Sequence, residues 1–398
     1  MTDLLKIGAA FILIVFLLRF RWNLGFVMLL GALFLGTLYR IGPGEQVMII
    51  ARSSVDMVTL NLVGGLVLIM VLENIIRKRG LLRQMTESLS SVAQDRRVTM
   101  AVLPGVIGLL PSAGGAAFSA PMVQDAAGPL EISPERRAFI NYWFRHIWEY
   151  ISPLYPGVVL VAAVTKLPMN DLLLSQLPLP LAVIGVGALF CFKGIPRIGT
   201  HGERQLHDVK KLIISLLPII AAIIMVVVFK IHLSISMAII VTALFALYRF
   251  TFAEIKLTLK ESLSLNIILM VTGIMAFKGM LEASGAITAL PVFFQRSGLP
   301  PVIILFFLPF IVGLLTGLTV GFVGATFPII TAMLGGHPDP GAITFAFASG
   351  FAGVMLSPTH LCLLLTVQYF KADLAGTYRL MYVPVVLVFA VGLVIMMI

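Results

Sequence analysis

Apolar positions in this chain gather into long unbroken runs, divided by short polar stretches rich in Lys and Arg. A helix needs about 20 apolar residues, within a range of roughly 17–25, to cross the hydrocarbon core of a bilayer. Ten runs meet or approach that length: 4–18, 22–39, 58–76, 139–166, 174–192, 212–229, 233–250, 265–282, 341–370 and 377–398. Two more stretches, 98–128 and 299–335, are interrupted by Gly, Pro, Ser and Thr and do not read as simple spans. The pattern predicts an all-α polytopic membrane protein embedded in a lipid bilayer.

Composition agrees. Of 398 residues, 59% are hydrophobic and 12% charged, against roughly 45–50% and about 25% in soluble domains. That excludes an ordinary soluble enzyme, a disordered chain and a disulfide-stapled scaffold. The net charge of +10 sits mostly in short loops, where it reports topology rather than nucleic-acid binding. Clusters lie at Arg77–Arg83 and Arg96–Arg97, at Arg136–Arg137, in the central loop 193–211, and at Lys256 and Lys260. All fall on one face if both interrupted stretches enter and leave the membrane on the same side. The positive-inside rule makes that face cytoplasmic, with both termini outside and the chain in the plasma (inner) membrane. The first run is followed by Arg19-Phe20-Arg21-Trp22, not by a small-residue cleavage site, and is expected to be retained.

The two halves resemble each other at an offset of about 205 residues. Gly108-Leu109-Leu110 aligns with Gly313-Leu314-Leu315, Ile151-Ser152-Pro153 with Leu356-Ser357-Pro358, and Lys166 with Lys371. Five spans per half force opposite orientations, the inverted-topology repeat used by many secondary transporters. The expected division is 1–192, with scaffold 4–39, hairpin 98–128 and broken helix 139–166; a linker at 193–211; and 212–398, with scaffold 212–250, hairpin 299–335 and broken helix 341–370.

Irregular backbone at membrane depth requires protein or water to satisfy its N–H and C=O groups, so it marks functional places. Pro111-Ser112-Ala113-Gly114-Gly115 reads as the tip of one re-entrant hairpin, and the Thr316–Thr326 stretch as the other. The Ser152-Pro153 and Ser357-Pro358 steps break runs too long for one span. A break frees carbonyls at one half-helix end, suited to Na⁺, and N–H groups at the other, suited to an anion. Ser112, Gly114, Gly115, Thr316, Thr319, Ser152, Ser357, Thr359 and His360 are therefore the candidate substrate ligands. Ser119, Thr326, Glu149 and His360 are the candidates for a coupling ion or proton. Ionisable groups inside spans are functional candidates by default. Arg145, His146 and Glu149 form a trio with no counterpart in the second half, read either as a substrate feature or as a cytoplasmic-end salt bridge. Glu73 with Arg77, and Lys278 with Glu282, read as structural i,i+4 pairs. Asn141, Tyr142 and Trp143 read as an interfacial belt. Cys191 and Cys362 lie in apolar segments and show neither metal-ligand spacing nor a disulfide framework. No phosphate loop, HExxH or CxxC is present, and no cofactor or resident metal is expected.

On the tip at 109–115, the Glu-Asn-Ile-Ile-Arg-Lys-Arg-Gly run at 73–80 and the two Ser-Pro breaks, the chain resembles the ion transporter superfamily. Within it, the chain is most similar to the ten-span family called domain of unknown function 401. That resemblance implies a homodimeric elevator-type secondary transporter, not an enzyme, with the first two spans of each half fixed and the hairpins and broken helices moving. Better-known relatives carry dicarboxylates, citrate, gluconate or arsenite with Na⁺ or H⁺. The dicarboxylate–sodium branch has Ser-Asn-Thr at each hairpin tip. Ser112-Ala113-Gly114 and a Thr/Gly-rich run stand there instead, which leaves substrate and coupling ion open. The expected function is transport of a small organic anion coupled to Na⁺ or H⁺, with a Na⁺/H⁺ antiporter that relies on Glu149 as the alternative. Replacing Ser112 or Ser357 by a bulky residue is expected to abolish uptake while leaving assembly intact. Normal uptake by either variant, measured in vesicles, would remove these serines from the site.

Overall fold

The computed structural model describes residues 2–93, 95–111, 115–128, 130–199, 206–285, 291, 300–335 and 338–398. Regular structure among them is helical, apart from one isolated bridge between Asp95 and Gly199. The first half contains α1 (Thr2–Arg19), α2 (Leu24–Leu38), α3 (Pro43–Val55), α4 (Met57–Lys78), α5 (Leu81–Val92), α6 (Arg96–Ile107), α7 (Gly115–Ala127), α8 (Pro134–Arg145), α9 (Pro156–Thr165), α10 (Met169–Gln176) and α11 (Pro178–Cys191). The second contains α12 (Leu206–Val227), α13 (Leu233–Leu247), α14 (Phe252–Ser262), α15 (Leu265–Ala283), α16 (Pro301–Thr316), α17 (Thr319–Met333), α18 (Pro340–Met355), α19 (Leu361–Phe370) and α20 (Leu374–Met397).

Among the described residues, five helices are long and apolar enough to cross a membrane: Met57–Lys78, Met169–Cys191, Asp208–Val227, Leu265–Ala283 and Leu374–Met397. This marks a helical membrane protein, but with fewer full-length helices than the ten apolar runs suggest. The runs at 22–39 and 233–250 form helices of 15 residues each. Each ends at a tyrosine, Tyr39 or Tyr248, followed by an arginine in the left-handed region, Arg40 or Arg249. The runs at 139–166 and 341–370 are each two helices with a gap at their Ser-Pro step. Helices α3, α5 and α14 fall outside every apolar run. They are amphipathic, so their hydropathy averages out. Thr251 starts α14 with a capping box, and the Thr251 backbone N–H and hydroxyl hold the Glu254 carboxyl below its usual range.

Helices α1–α4 and α6–α9 have counterparts in the same order in α12–α15 and α16–α19, and backbone irregularities recur with them. Left-handed residues fall in pairs: Arg21 and Lys230, Arg40 and Arg249, Gly80 and Gly285, Gly128 and Gly335, Lys166 and Lys371. Packing is reciprocal as well: α2 lies along α15, and its counterpart α13 lies along α4. Asn23 bonds Asn266 across the first contact, and Ser234 meets Asn61 across the second.

Helices α6 and α7 pack on each other, as do α16 and α17, which turn at Gly317. Each is shorter than a full span. Each pair leans on the broken helix that follows it through a glycine. A Cβ on Gly108 would stand 2.1 Å from the Arg145 carbonyl oxygen, and one on Gly313 would stand 2.1 Å from that of Gly350. These contacts are repeat equivalents and bring backbone against backbone, as small residues do at membrane helix interfaces. Gly313→Ala should therefore cost at least about 1–3 kcal/mol of stability by forced overpacking. Gly64→Ala, which meets nothing within 4 Å, should cost none. Thermal unfolding in detergent checks both; equal melting of the two variants would show that the backbone contact is dispensable.

Candidate functional site

The centre lies where the two helix breaks meet the turn between α16 and α17. In the second half, α18 runs unbroken to Met355. In the first, the matching helix stops at Arg145, the equivalent of Gly350 and so five residues short of Met355, and continues as a 3-10 turn over Ile147–Tyr150. His146 accounts for this change. Its Nδ1 donates to the Tyr142 carbonyl at 2.5 Å, so the His146 backbone N–H turns to Trp143 O at 3.2 Å. Phe351, at the equivalent position in the second half, has no such donor.

The tighter turn presents the trio inward. Arg145 and His146 are 2% and 1% exposed, and the Glu149 side chain 13%. Thr319, which opens α17, donates to Glu149 Oε2 at 2.9 Å. His146 Nε2 lies 3.6 Å from Glu149 Oε1 and 3.2 Å from His360 Nε2. Arg145 is hydrogen-bonded to Tyr155, the residue before α9. Two distant parts of the chain thus share one polar cluster. The trio expected either as a substrate feature or as a salt bridge is buried, with His146 and Glu149 in contact.

Other expected ligands have structural duties. Ser357 Oγ donates to Leu314 O at 2.7 Å, pairs with Thr359 Oγ1 at 2.9 Å and accepts from Thr359 N. Thr359 Oγ1 donates to Leu315 O. Ser152 Oγ accepts from Leu154 N, the equivalent turn in the first half. Thr316 donates to Val312 O. Ser119 and Thr326 are buried, and their hydroxyls are bonded to carbonyls of their own helices. Gly115 is the buried first residue of α7. Ser112 and Gly114 lie outside the described residues.

Several readings change. Asn141, Tyr142 and Trp143 are buried rather than interfacial. Asn141 bonds Ala116 O and Thr366, Tyr142 bonds Met355 O, and Trp143 bonds Val183 O. Glu73 does pair with Arg77. Lys278 instead donates to Ala163 O at 3.4 Å, and Glu282 lies 3.8 Å from Lys166. Those two lysines, Arg52, Asp56 and Glu282 line a cavity of about 610 Å³ between α3, α15 and the end of α9.

A helical membrane protein with an arginine, a carboxylate and two histidines enclosed at paired helix breaks is the class this structure defines. The chain belongs to the family described as Protein of unknown function (DUF401), which it matches over residues 4–398. No curated protein matches it.

The Thr319 bond ties the α16–α17 turn to the 3-10 turn. Gly157 leaves room for it: a Cβ there would stand 2.4 Å from Thr319 Cγ2. Thr319→Val keeps the shape and removes the donor, so stability should fall by about 1–3 kcal/mol as Glu149 loses its bond. Thr319→Ser should recover most of that. Unchanged melting of the valine variant would mean the contact holds nothing.

Proposed function

We propose that this protein is a secondary active transporter of a small organic anion, coupled to H⁺ or Na⁺ and working by an elevator movement within the ion transporter superfamily. One observation carries the reading: a buried cation, a buried carboxylate and two open helix starts converge on one point. Arg145 supplies the charge that attracts a carboxylate substrate. Neither α9 nor α19 has a side-chain cap at its start, so their first N–H groups are free to add to that attraction. Glu149 supplies the counter-charge that a coupling cation or proton neutralises.

The repeated element order, the paired left-handed residues and the reciprocal packing support two inverted repeats. On that reading α6–α7 and α16–α17 are re-entrant hairpins, and the ten-span count includes helices shorter than a full span. The plasma membrane, outward-facing termini and a homodimer belong to the same proposal.

The Na⁺/H⁺ antiporter remains a second reading because Glu149 is enclosed and held by a single threonine donor, as an exchanging carboxylate would be. A thermal-shift series on purified protein separates the two. Small carboxylates and oxyanions are added in Na⁺ and in choline buffer at two pH values. A ligand of the folded state at 100 times its Kd stabilises by about 2.7 kcal/mol. The anion reading expects such a shift with a carboxylate, lost in Arg145→Gln and largely kept in Glu149→Gln. A shift with Na⁺ or pH alone, lost in Glu149→Gln, would replace it with the antiporter.

A further inference from the structure

His146, His360 and Cys362 bring one ligand atom each to within 4.8 Å of one another. The two imidazole nitrogens that face each other, both Nε2, are 3.2 Å apart. With zinc–nitrogen bonds of about 2.0–2.1 Å, two histidines in one tetrahedral shell have nitrogens about 3.3 Å apart. The spacing already present therefore fits a shared ion. Glu149 Oε1 lies 3.6 Å from His146 Nε2, outside the three-residue cluster but beside it.

The surroundings have the form such a site needs. A ligating histidine is usually fixed by a hydrogen bond from its other nitrogen. His146 Nδ1 donates to Tyr142 O, which leaves the Nε2 lone pair directed at the cluster. The Tyr142 ring lies edge-on to both imidazoles, at 4.6 and 5.4 Å between centroids, and Phe351 closes the side by His146. This apolar shell keeps water away. Cys362 lies in the first turn of α19, two residues beyond His360, and is not in a disulfide. His146 comes from the other half of the chain.

From this geometry we infer that His146, His360 and Cys362 bind a divalent transition-metal ion of the zinc class, with the fourth position open to an outside ligand. In the metal-free protein the His146 lone pair accepts the proton on His360 Nε2. On binding, that proton moves to His360 Nδ1, a buried atom with no hydrogen-bond partner among the described residues. The Cys362 thiol releases its proton to solvent, and the ion takes two neutral nitrogens and a thiolate. The thiolate and the nearby Glu149 carboxylate balance the ion's charge, and Arg145 beside them leaves the cluster with one net positive charge. A thiolate with imidazoles favours Zn²⁺, Co²⁺ or Cu²⁺ over Mg²⁺ or Ca²⁺.

The test uses the purified full-length protein, stripped by a chelator and titrated with Co²⁺ and then Zn²⁺. The expected result is one ion per chain and thiolate-to-cobalt charge-transfer absorption, displaced by Zn²⁺. Cys362→Ser should remove that absorption and weaken Zn²⁺ binding by more than about 100-fold, beyond the loss that an outer-shell partner gives. His146→Ala should weaken it similarly, while Cys191→Ser and His232→Ala should leave it unchanged. Melting in chelator checks that each variant is folded; Cys362→Ser carries the test if His146→Ala is not. Absence of binding, or absorption that survives Cys362→Ser, would overturn the site. Binding is read without transport, so failure here leaves the transport proposal standing.

Discussion

A helix that stops at membrane depth releases backbone groups that no lipid can satisfy. Everything at the centre of this protein follows from how those groups are held. At the second break, Ser357 and Thr359 hand hydrogen bonds to the carbonyls of Leu314 and Leu315 at the end of α16. At the first, Tyr155 bonds the Gly108 carbonyl at the end of α6. Each break is therefore stabilised by the helix pair that precedes it, and each pair is held close by a glycine facing a carbonyl. Helix pair and broken helix form one unit because their backbone hydrogen bonds and glycine contacts are shared.

On this paired frame the halves diverge at a few positions, and the divergence is chemical. Gly350, Phe351 and Val354 keep α18 regular and apolar. Arg145, His146 and Glu149 occupy the same places in the first half. One histidine side chain bonding its own helix is enough to tighten the turn and direct three ionisable groups inward. A symmetric scaffold thus encloses an asymmetric charge distribution: a single arginine and a single glutamate. Thr319, from the other half, links that glutamate to the second turn. A change in the charge of Glu149 would therefore be felt by both halves of the protein.

Much of the architecture is legible in the apolar runs and the offset of about 205 residues, because burial in lipid demands long apolar segments and repeats leave matching Gly and Ser-Pro positions. Helix lengths are less legible. The run 233–250 is almost wholly apolar, but its helix ends at Leu247, capped by Tyr248 before the left-handed Arg249. Amphipathic α5 and α14 escape a hydropathy reading for the opposite reason: their polar and apolar residues alternate around the helix and average out. The candidate ligands divide in a similar way. Ser357 and Thr359 are visible as residues at a break, yet their hydroxyls serve the backbone. Arg145, His146 and Glu149 are visible as ionisable groups inside an apolar run, but their neighbours do not say which groups they meet.

The sequence alone determined that the chain is helical, membrane-bound, internally repeated and interrupted at two Ser-Pro steps, because each property is written in local composition or in periodicity. Only the tertiary structure decided which polar groups meet. His146 and His360 are 214 positions apart, and Glu149 and Thr319 are 170 apart. No local rule relates residues at such distances. They become neighbours because Gly108 and Gly313 let each helix pair pack closely on the broken helix that follows it, and the contact between the halves brings the two breaks to one point.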